Sequence, residues 1–186
     1  RILHPQVPRL RGLDLGCGIG RQLILMHEFG IEGYGIDVSE LALKRGELLG
    51  RHFGVDLRGR LLRVERPEIP FDDAFFDLAV CDSVLDSMKF ELARSYVREL
   101  DRAVKGLLFV SLISDELGCN REEIVAGSHE HGTYQSYYSP SRISSLLAGS
   151  RWQRVWQNLV SEQRPSSAGE LETFNARFHL VLRNSE

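Results

Sequence analysis

Short β-forming runs alternate with stretches of helical spacing through the first two thirds of the sequence. The β-type runs cover residues 10–15, 33–37, 61–65, 75–81 and 107–113. Helical patterns lie between several of them, over 21–29, 41–49 and 93–104. Because parallel neighbours in a sheet need a crossover that is usually a helix, this alternation predicts βαβ units. The fold class is therefore α/β, with a parallel sheet covered on both faces.

The last third changes character. Ser139-Pro140 is a typical helix start, and Ile143 lies on the apolar stripe of the helix that follows. Residues 152–160 and 174–183 then have strand patterns, and the polar segment 164–169 between them predicts an antiparallel hairpin. Residues 114–138 have no clear pattern, and loops of that length are often functional.

Size, charge and cysteine content limit the function classes. The 186 residues suit one domain, and 23 basic against 26 acidic residues give a formal net charge of −3. No basic field indicates a nucleic-acid or membrane partner. Three widely spaced cysteines offer no disulfide framework, which favours a reduced, cytoplasmic location. Nothing in the sequence indicates an oligomeric state.

A glycine-rich turn between the first strand and the first helix is the main candidate site. Gly16, Gly18 and Gly20 permit positive φ and close backbone approach, and the helix N-terminus offers free N–H groups. Asp37 ends the second strand, 21 residues after Gly16, where a doubly wound fold holds ribose hydroxyls. The alternatives are a turn that only packs strand on helix, and an N-cap-like role for Asp37 before the helix at Ser39. Together the two features favour a nucleoside ligand, and the G-x-G-x-G spacing disfavours a nicotinamide dinucleotide.

Three ordered motifs resemble those of the class I S-adenosylmethionine-dependent methyltransferases. They are LDLGCGIG at 13–20, GIDVS at 35–39 and IPFDDAFFDLAV at 69–80. The resemblance implies a doubly wound, Rossmann-like sheet of seven strands in the order 3-2-1-4-5-7-6, with strand 7 antiparallel and helices in outer layers. It implies one domain over 1–186, with a cofactor half at 10–113, an acceptor-side loop at 114–138, and a helix and hairpin at 139–186.

The resemblance also assigns cofactor contacts. It implies that Asp14 supports the cofactor's ammonium group, that Asp37 holds the ribose and that Val38 packs on the adenine. The loop under the methionine part comprises Gly16, Cys17, Gly18 and Gly20.

Two further pairs follow from the resemblance. Glu65 and Arg66 fall where the family contacts the adenine amino group and ring edge, although Glu replaces the more common Asp. The alternative for Glu65 is a solvated charge at the end of a strand. Cys81 and Asp82 fall where the family contacts the methionine end.

Candidate acceptor-side residues come after the fourth strand and from the 114–138 segment. They are Asp86, His131, Tyr134 and Tyr138. His129 and His131 with Glu130 are weak evidence for a metal, and we expect none. No catalytic residue can be assigned, because the cofactor itself supplies the driving force and a base is needed only for a protonated acceptor.

The sequence therefore predicts in-line transfer of a methyl group from S-adenosylmethionine to a small-molecule acceptor, which leaves S-adenosylhomocysteine. Only nine residues precede Leu10, where the family usually has a helical segment. Either the domain lacks that cover or the sequence begins inside it. The alternatives are a non-catalytic binding or regulatory module of the same fold, and a methyltransferase acting on protein or nucleic acid.

Overall fold

A seven-stranded mixed sheet organises the chain. The computed structural model describes residues 9–117, 122–125, 133–167 and 169–185. In chain order the strands are β1 (Arg11–Leu15), β2 (Glu32–Asp37), β3 (Leu61–Arg63), β4 (Phe76–Asp82), β5 (Val104–Ile113), β6 (Glu122–Val125), β7 (Thr133–Ser136), β8 (Trp152–Pro165) and β9 (Leu171–Asn184). The sheet order is β3-β2-β1-β4-β5-β9-β8, and β9 is antiparallel to both of its neighbours. This confirms the predicted order, with β8 and β9 as the predicted strands 6 and 7.

Four α-helices in the described part of the chain pack on the sheet. They are α1 (Arg21–Glu28), α2 (Glu40–His52), α3 (Phe90–Ala103) and α4 (Pro140–Leu147). The hydroxyls of Ser39 and Ser139 cap α2 and α4, because each accepts a hydrogen bond from a backbone N–H of the first turn. Helices α1 and α2 lie on β1, β2 and β3, and α3 lies against β5 and α4 on the other side. No helix in the described ranges is long and apolar enough to cross a bilayer.

Small residues let α1 approach the sheet closely. Gly35 on β2 has no room for a side chain, since an added Cβ would lie 2.6 Å from the Cys17 sulfur and 2.9 Å from Leu23. The glycine turn after β1 is therefore held between the second strand and the first helix. Most of the buried core lies on the opposite face of the sheet, with Leu13, Phe76 and Leu108 at 0% exposure.

The structure differs from the sequence expectations in three places. Strand β5 begins at Val104, where the apolar spacing predicted the end of a helix. The 114–138 segment contains a two-stranded hairpin, β6–β7, that no periodicity indicated. On the α1–α2 face the described helices cover only part of the sheet, because Leu107 on β5 is 45% exposed and Trp156 on β8 is 48% exposed.

Candidate functional site

The glycine turn lies at the carboxyl end of β1 and is fixed to β2. The backbone N–H groups of Gly16 and Cys17 both donate to the Ile36 carbonyl, at 2.7 and 3.0 Å. Gly16 has φ 73°, and an added Cβ would lie 2.4 Å from Val84, so only glycine fits there. Gly18 has φ 52° and no atom within 4 Å of an added Cβ. The backbone at Gly18 is thus open to an approaching molecule.

Asp37 ties this turn to the start of α2. Its Oδ2 accepts a hydrogen bond from the Gly18 N–H at 2.8 Å, and its Oδ1 accepts one from the Ser39 N–H at 2.8 Å. The N-cap of α2 is Ser39. Two backbone donors therefore orient the Asp37 carboxylate, and each oxygen keeps a lone pair for another donor.

Asp14 is a buried carboxylate without a hydrogen-bond partner among the described residues. It lies on β1 between Gly35 of β2 and Val80 of β4 in the strand register, and it is 4% exposed. Burial, together with the negative charges of Asp82 and Asp37, raises the pKa of Asp14 from 3.8 to about 7. A buried carboxylate in this state is stabilised by a cation.

The three carboxylates share one edge of the sheet. Asp14 and Asp37 lie at or near the carboxyl ends of β1 and β2, and Asp82 ends β4. In the order β3-β2-β1-β4-β5 the direction of winding reverses between β1 and β4. Ligands of open α/β sheets bind outside the strands at such a reversal.

A cleft of about 400 Å³ opens beside this edge. Its floor includes Gly16 and Asp37, and its far wall includes Val84, Met88 and Tyr96. A few polar groups at the base of mostly apolar walls are typical of a site for an organic cofactor.

Comparisons with known proteins agree with this geometry. Residues 13–108 match the family model described as a methyltransferase domain, which is more than half of the chain. The chain belongs to the class I S-adenosylmethionine-dependent methyltransferases.

Two curated relatives match part of the chain. A sterol 4-C-methyltransferase from Caenorhabditis elegans is 27% identical over 93 residues, which are 50% of this chain and 25% of that protein. An uncharacterized protein from Haemophilus influenzae is 27% identical over 99 residues, or 52% of this chain and 39% of that protein. The chain therefore spans well under half the length of these relatives.

Several solved methyltransferases have the same fold. A protein described as an S-adenosylmethionine-dependent methyltransferase from Methanosarcina mazei superimposes with a TM-score of 0.76 at 16% identity, over 98% of each chain. The magnesium protoporphyrin IX methyltransferase of Synechocystis, with bound S-adenosylmethionine, gives 0.67 at 17% identity over 96% of this chain and 71% of that one. The 1,6-didemethyltoxoflavin-N1-methyltransferase of Burkholderia thailandensis, with bound S-adenosylhomocysteine, gives 0.68 at 16% over 96% and 72%. S-adenosylmethionine is the cofactor of this family.

The methyltransferase fold brings most of the predicted cofactor residues together, but not all. Val38 is 60% exposed and lines the cleft with Glu65, whose carboxylate pairs with Arg63 at 2.5 Å. Arg66 lies outside the cleft, and its carbonyl accepts a hydrogen bond from the Tyr96 hydroxyl at 3.1 Å. Asp14, Gly18 and Asp82 are not part of the cleft lining either, and they lie beside it at the same edge of the sheet.

Both cysteines of the predicted set are buried. Cys81 is 0% exposed in the main core, on the face of β4 away from Asp82, so its side chain does not reach the cleft. Cys17 packs under β2, where burial and the nearby charges of Asp14 and Asp37 raise the pKa of its thiol. In this structure Cys17 contributes to the turn through its backbone.

The predicted acceptor residues that the structure describes do not line the cleft. Asp86 is 1% exposed and Tyr138 is 0% exposed, with the Tyr138 hydroxyl donating to the Leu85 carbonyl at 3.2 Å. Burial keeps both from an acceptor, so we take them as structural. The Tyr134 hydroxyl donates to Glu122, and His131 lies outside the described residues.

Sequence reasoning missed the far wall of the cleft and the groups behind Asp82. Val84 and Met88 come from the segment after β4, and Tyr96 comes from α3. Ser111 and Arg177 lie behind Asp82. The one available signal was Ser111, the polar residue that interrupts the apolar run 107–113.

Proposed function

We propose that this chain binds S-adenosylmethionine in the cleft at the carboxyl edge and transfers its methyl group to a small molecule. The observation that carries the proposal is the set of three carboxylates beside the open glycine turn. S-adenosylmethionine is a nucleoside with a sulfonium and an ammonium group. Its ribose hydroxyls can donate hydrogen bonds to these carboxylates, and its two cationic groups carry the opposite charge.

Each residue has a role that its geometry supports. Asp37, already oriented by two backbone N–H groups, accepts from the ribose hydroxyls. Asp14, buried and without a partner among the described residues, balances the ammonium group. Gly18 leaves space for the ligand against the backbone, and Val38 with Val84 encloses the adenine.

The cofactor, when bound, supplies an activated methyl group. The chain's own contribution is then to hold the donor and acceptor in line and to exclude water, which accounts for much of the rate in such transfers. We therefore assign no general base.

A small-molecule acceptor is supported by the relatives and by the charge of the chain. The names of the compared methyltransferases refer to a sterol, a toxoflavin precursor and magnesium protoporphyrin IX. The formal net charge of −3 does not favour a nucleic acid. We infer that residues 10–113 form the cofactor half, that 114–138 lies on the acceptor side and that 139–186 completes the same domain.

Calorimetric titration with S-adenosylmethionine and S-adenosylhomocysteine tests the cofactor site. Asp37→Asn should weaken both by about tenfold to a hundredfold, because a charge-assisted bidentate contact is lost. Asp72→Asn changes an exposed aspartate outside the cleft and should bind as the unaltered protein does. Absence of binding to the unaltered protein, or equal affinity after Asp37→Asn, would refute the site.

Transfer of a labelled methyl group tests the acceptor class. Label should appear in small molecules extracted from a cell lysate. Label found only in protein or nucleic acid would contradict the small-molecule proposal, and bound cofactor with no transfer to any fraction would favour a non-catalytic module.

A further inference from the structure

Ser111 is a buried hydroxyl in an apolar strand. It lies on β5 within the run 107–113, on the same face as Phe109 and Ile113, and it is 0% exposed. Burying a hydroxyl costs free energy unless it is hydrogen-bonded, and an apolar side chain would serve packing at least as well. Packing in the core therefore does not explain why a serine lies at this position.

The hydrogen bonds of Ser111 fix the direction of its proton. The Ser83 N–H donates to the Ser111 Oγ at 2.9 Å, and Arg177 Nη2 donates to it at 3.3 Å. A hydroxyl has two lone pairs and one proton. With both lone pairs engaged, the proton has two oxygens within reach, Ser83 Oγ at 3.5 Å and the closer Asp82 Oδ1, to which Ser111 donates.

An ion pair holds the other end of this chain of hydrogen bonds. Arg177 Nη2 lies 2.6 Å from Asp86 Oδ2, and that oxygen also accepts from the Ile113 N–H at 2.9 Å. Asp86 is 1% exposed, so the pair is anchored in the interior. The guanidinium charge draws electron density from Ser111 Oγ and makes its hydroxyl a stronger donor to Asp82.

This series of hydrogen bonds ends at Asp82, beside the cleft. Asp82 is exposed, its Oδ1 accepts hydrogen bonds from the Ser111 hydroxyl and, at 3.3 Å, from the Ser83 hydroxyl, and its Oδ2 has no hydrogen-bond partner among the described residues. Asp82 is near enough to Asp14 for its charge to raise the pKa of that buried carboxyl. Asp82 therefore lies on the side of the site where the Asp14 carboxylate also lies.

We propose that Ser111, buttressed by the Asp86–Arg177 ion pair, is a positioning residue that aims the Asp82 carboxylate at the amino-acid end of the bound cofactor. This rests on the proposed function, since it concerns how the same cleft selects its ligand. The Asp86–Arg177 pair alone would suffice to join β9 to the segment after β4. The hydrogen bond from Ser111 to Asp82 does not strengthen that connection, because the Asp82 side chain is exposed.

Two ligands that differ only in the amino-acid end separate positioning from general stability. S-adenosylhomocysteine carries that end, and 5′-methylthioadenosine lacks it but keeps the adenine and ribose. Ser111→Ala should weaken S-adenosylhomocysteine by about tenfold and leave 5′-methylthioadenosine within about twofold. Ser111→Cys keeps the volume with a weaker donor and should shift binding in the same direction if the alanine variant folds poorly.

A double-mutant cycle and a matched control complete the experiment. Once Asp82→Ala has removed the target, Ser111→Ala should cause no further loss of S-adenosylhomocysteine affinity. Ser114→Ala removes another fully buried serine of the same region and should leave both affinities unchanged. Equal weakening of both ligands, unchanged affinity for S-adenosylhomocysteine, or additive losses in the cycle would overturn the positioning role.

The unaltered protein separates this proposal from the proposed function. If it binds 5′-methylthioadenosine as tightly as S-adenosylhomocysteine, the amino-acid end adds no affinity, and the positioning role fails while the nucleoside site stands. If it binds neither ligand, the proposed function fails with it.

Discussion

Replacing Asp14 by asparagine should stabilise the ligand-free protein at alkaline pH while impairing its binding site. Asp14 is 4% exposed, and burial together with the charges of Asp82 and Asp37 raises its pKa from 3.8 to about 7. The folded state therefore holds this proton more tightly than the unfolded chain does. Stability consequently falls as the pH rises from about 4 to about 7, and the full penalty persists above that range.

The two pKa values set the size of the effect. Each pKa unit corresponds to about 1.4 kcal/mol, so ionising Asp14 in the fold costs about 4 kcal/mol above pH 7 and about 2 kcal/mol at pH 5. Asparagine has nearly the same volume and stays neutral. Asp14→Asn should thus raise the free energy of unfolding by up to about 4 kcal/mol at pH 8 and change it little at pH 4.

Urea unfolding followed by circular dichroism at pH 4, 5 and 8 measures this difference. Asp72→Asn, at an exposed aspartate, is the matched control and should show no comparable gain. The same Asp14→Asn protein should bind S-adenosylmethionine less tightly, because the anion opposite the ammonium group is gone. A variant no more stable than the parent at pH 8, or equally stabilised at all three pH values, would refute the burial argument.

Further substitutions and one titration test other parts of the site. Gly16→Ala should lower the free energy of unfolding by about 3 kcal/mol, because φ is 73° and the new methyl group would lie 2.4 Å from Val84. Gly18→Ala should cost only about 1 kcal/mol in chemical unfolding, since no atom lies within 4 Å, yet weaken S-adenosylhomocysteine in calorimetry. Near pH 7 that ligand should release about half a proton as Asp14 ionises, measured by titration in buffers of different ionisation enthalpy; no release would contradict the Asp14–ammonium contact. Tyr138→Phe should cost about 1 kcal/mol of stability and leave ligand binding unchanged, whereas lost transfer at full stability would return Tyr138 to the acceptor site.

Several strands could be located because their signals are local, whereas the order of the sheet followed from the resemblance to the family. Strands β1, β2, β4 and β5 contain short β-forming runs, and the Ser139–Pro140 start of α4 is a capping signal that needs no tertiary partner. The β6–β7 hairpin has no such signal. The Glu122 carboxylate on β6 helps to attach it, because it accepts hydrogen bonds from the Phe90 N–H at 2.5 Å and Arg142 at 2.8 Å. Contacts of that kind have no period in the sequence, so the hydrogen bond from Tyr134 to Glu122 could not be predicted.

Some residues of the candidate site could likewise be predicted from local signals, whereas others depend on tertiary packing. Asp14, the glycine turn and Asp37 are close in sequence and follow strand ends, so their convergence at one edge could be predicted from the order of the strands. The burial of Cys81 and Asp86 could not, because the faces of β4 and of the turn after it depend on where α3 packs. Burial then decides whether a residue near a strand end can meet a ligand.

The groups behind Asp82 depend on register rather than on sequence distance. Ser111 and Arg177 are 66 residues apart, and the antiparallel pairing of β5 with β9, in which Arg177 lies opposite Ile113, brings them together. A shift of one residue in that pairing would turn Arg177 to the opposite face and leave the Ser111 hydroxyl short of a donor.

The formal net charge of the whole chain does not indicate the local charge at the site. Three carboxylates at one edge make the local field suitable for a cation, and a single arginine behind them determines where one of those carboxylates points.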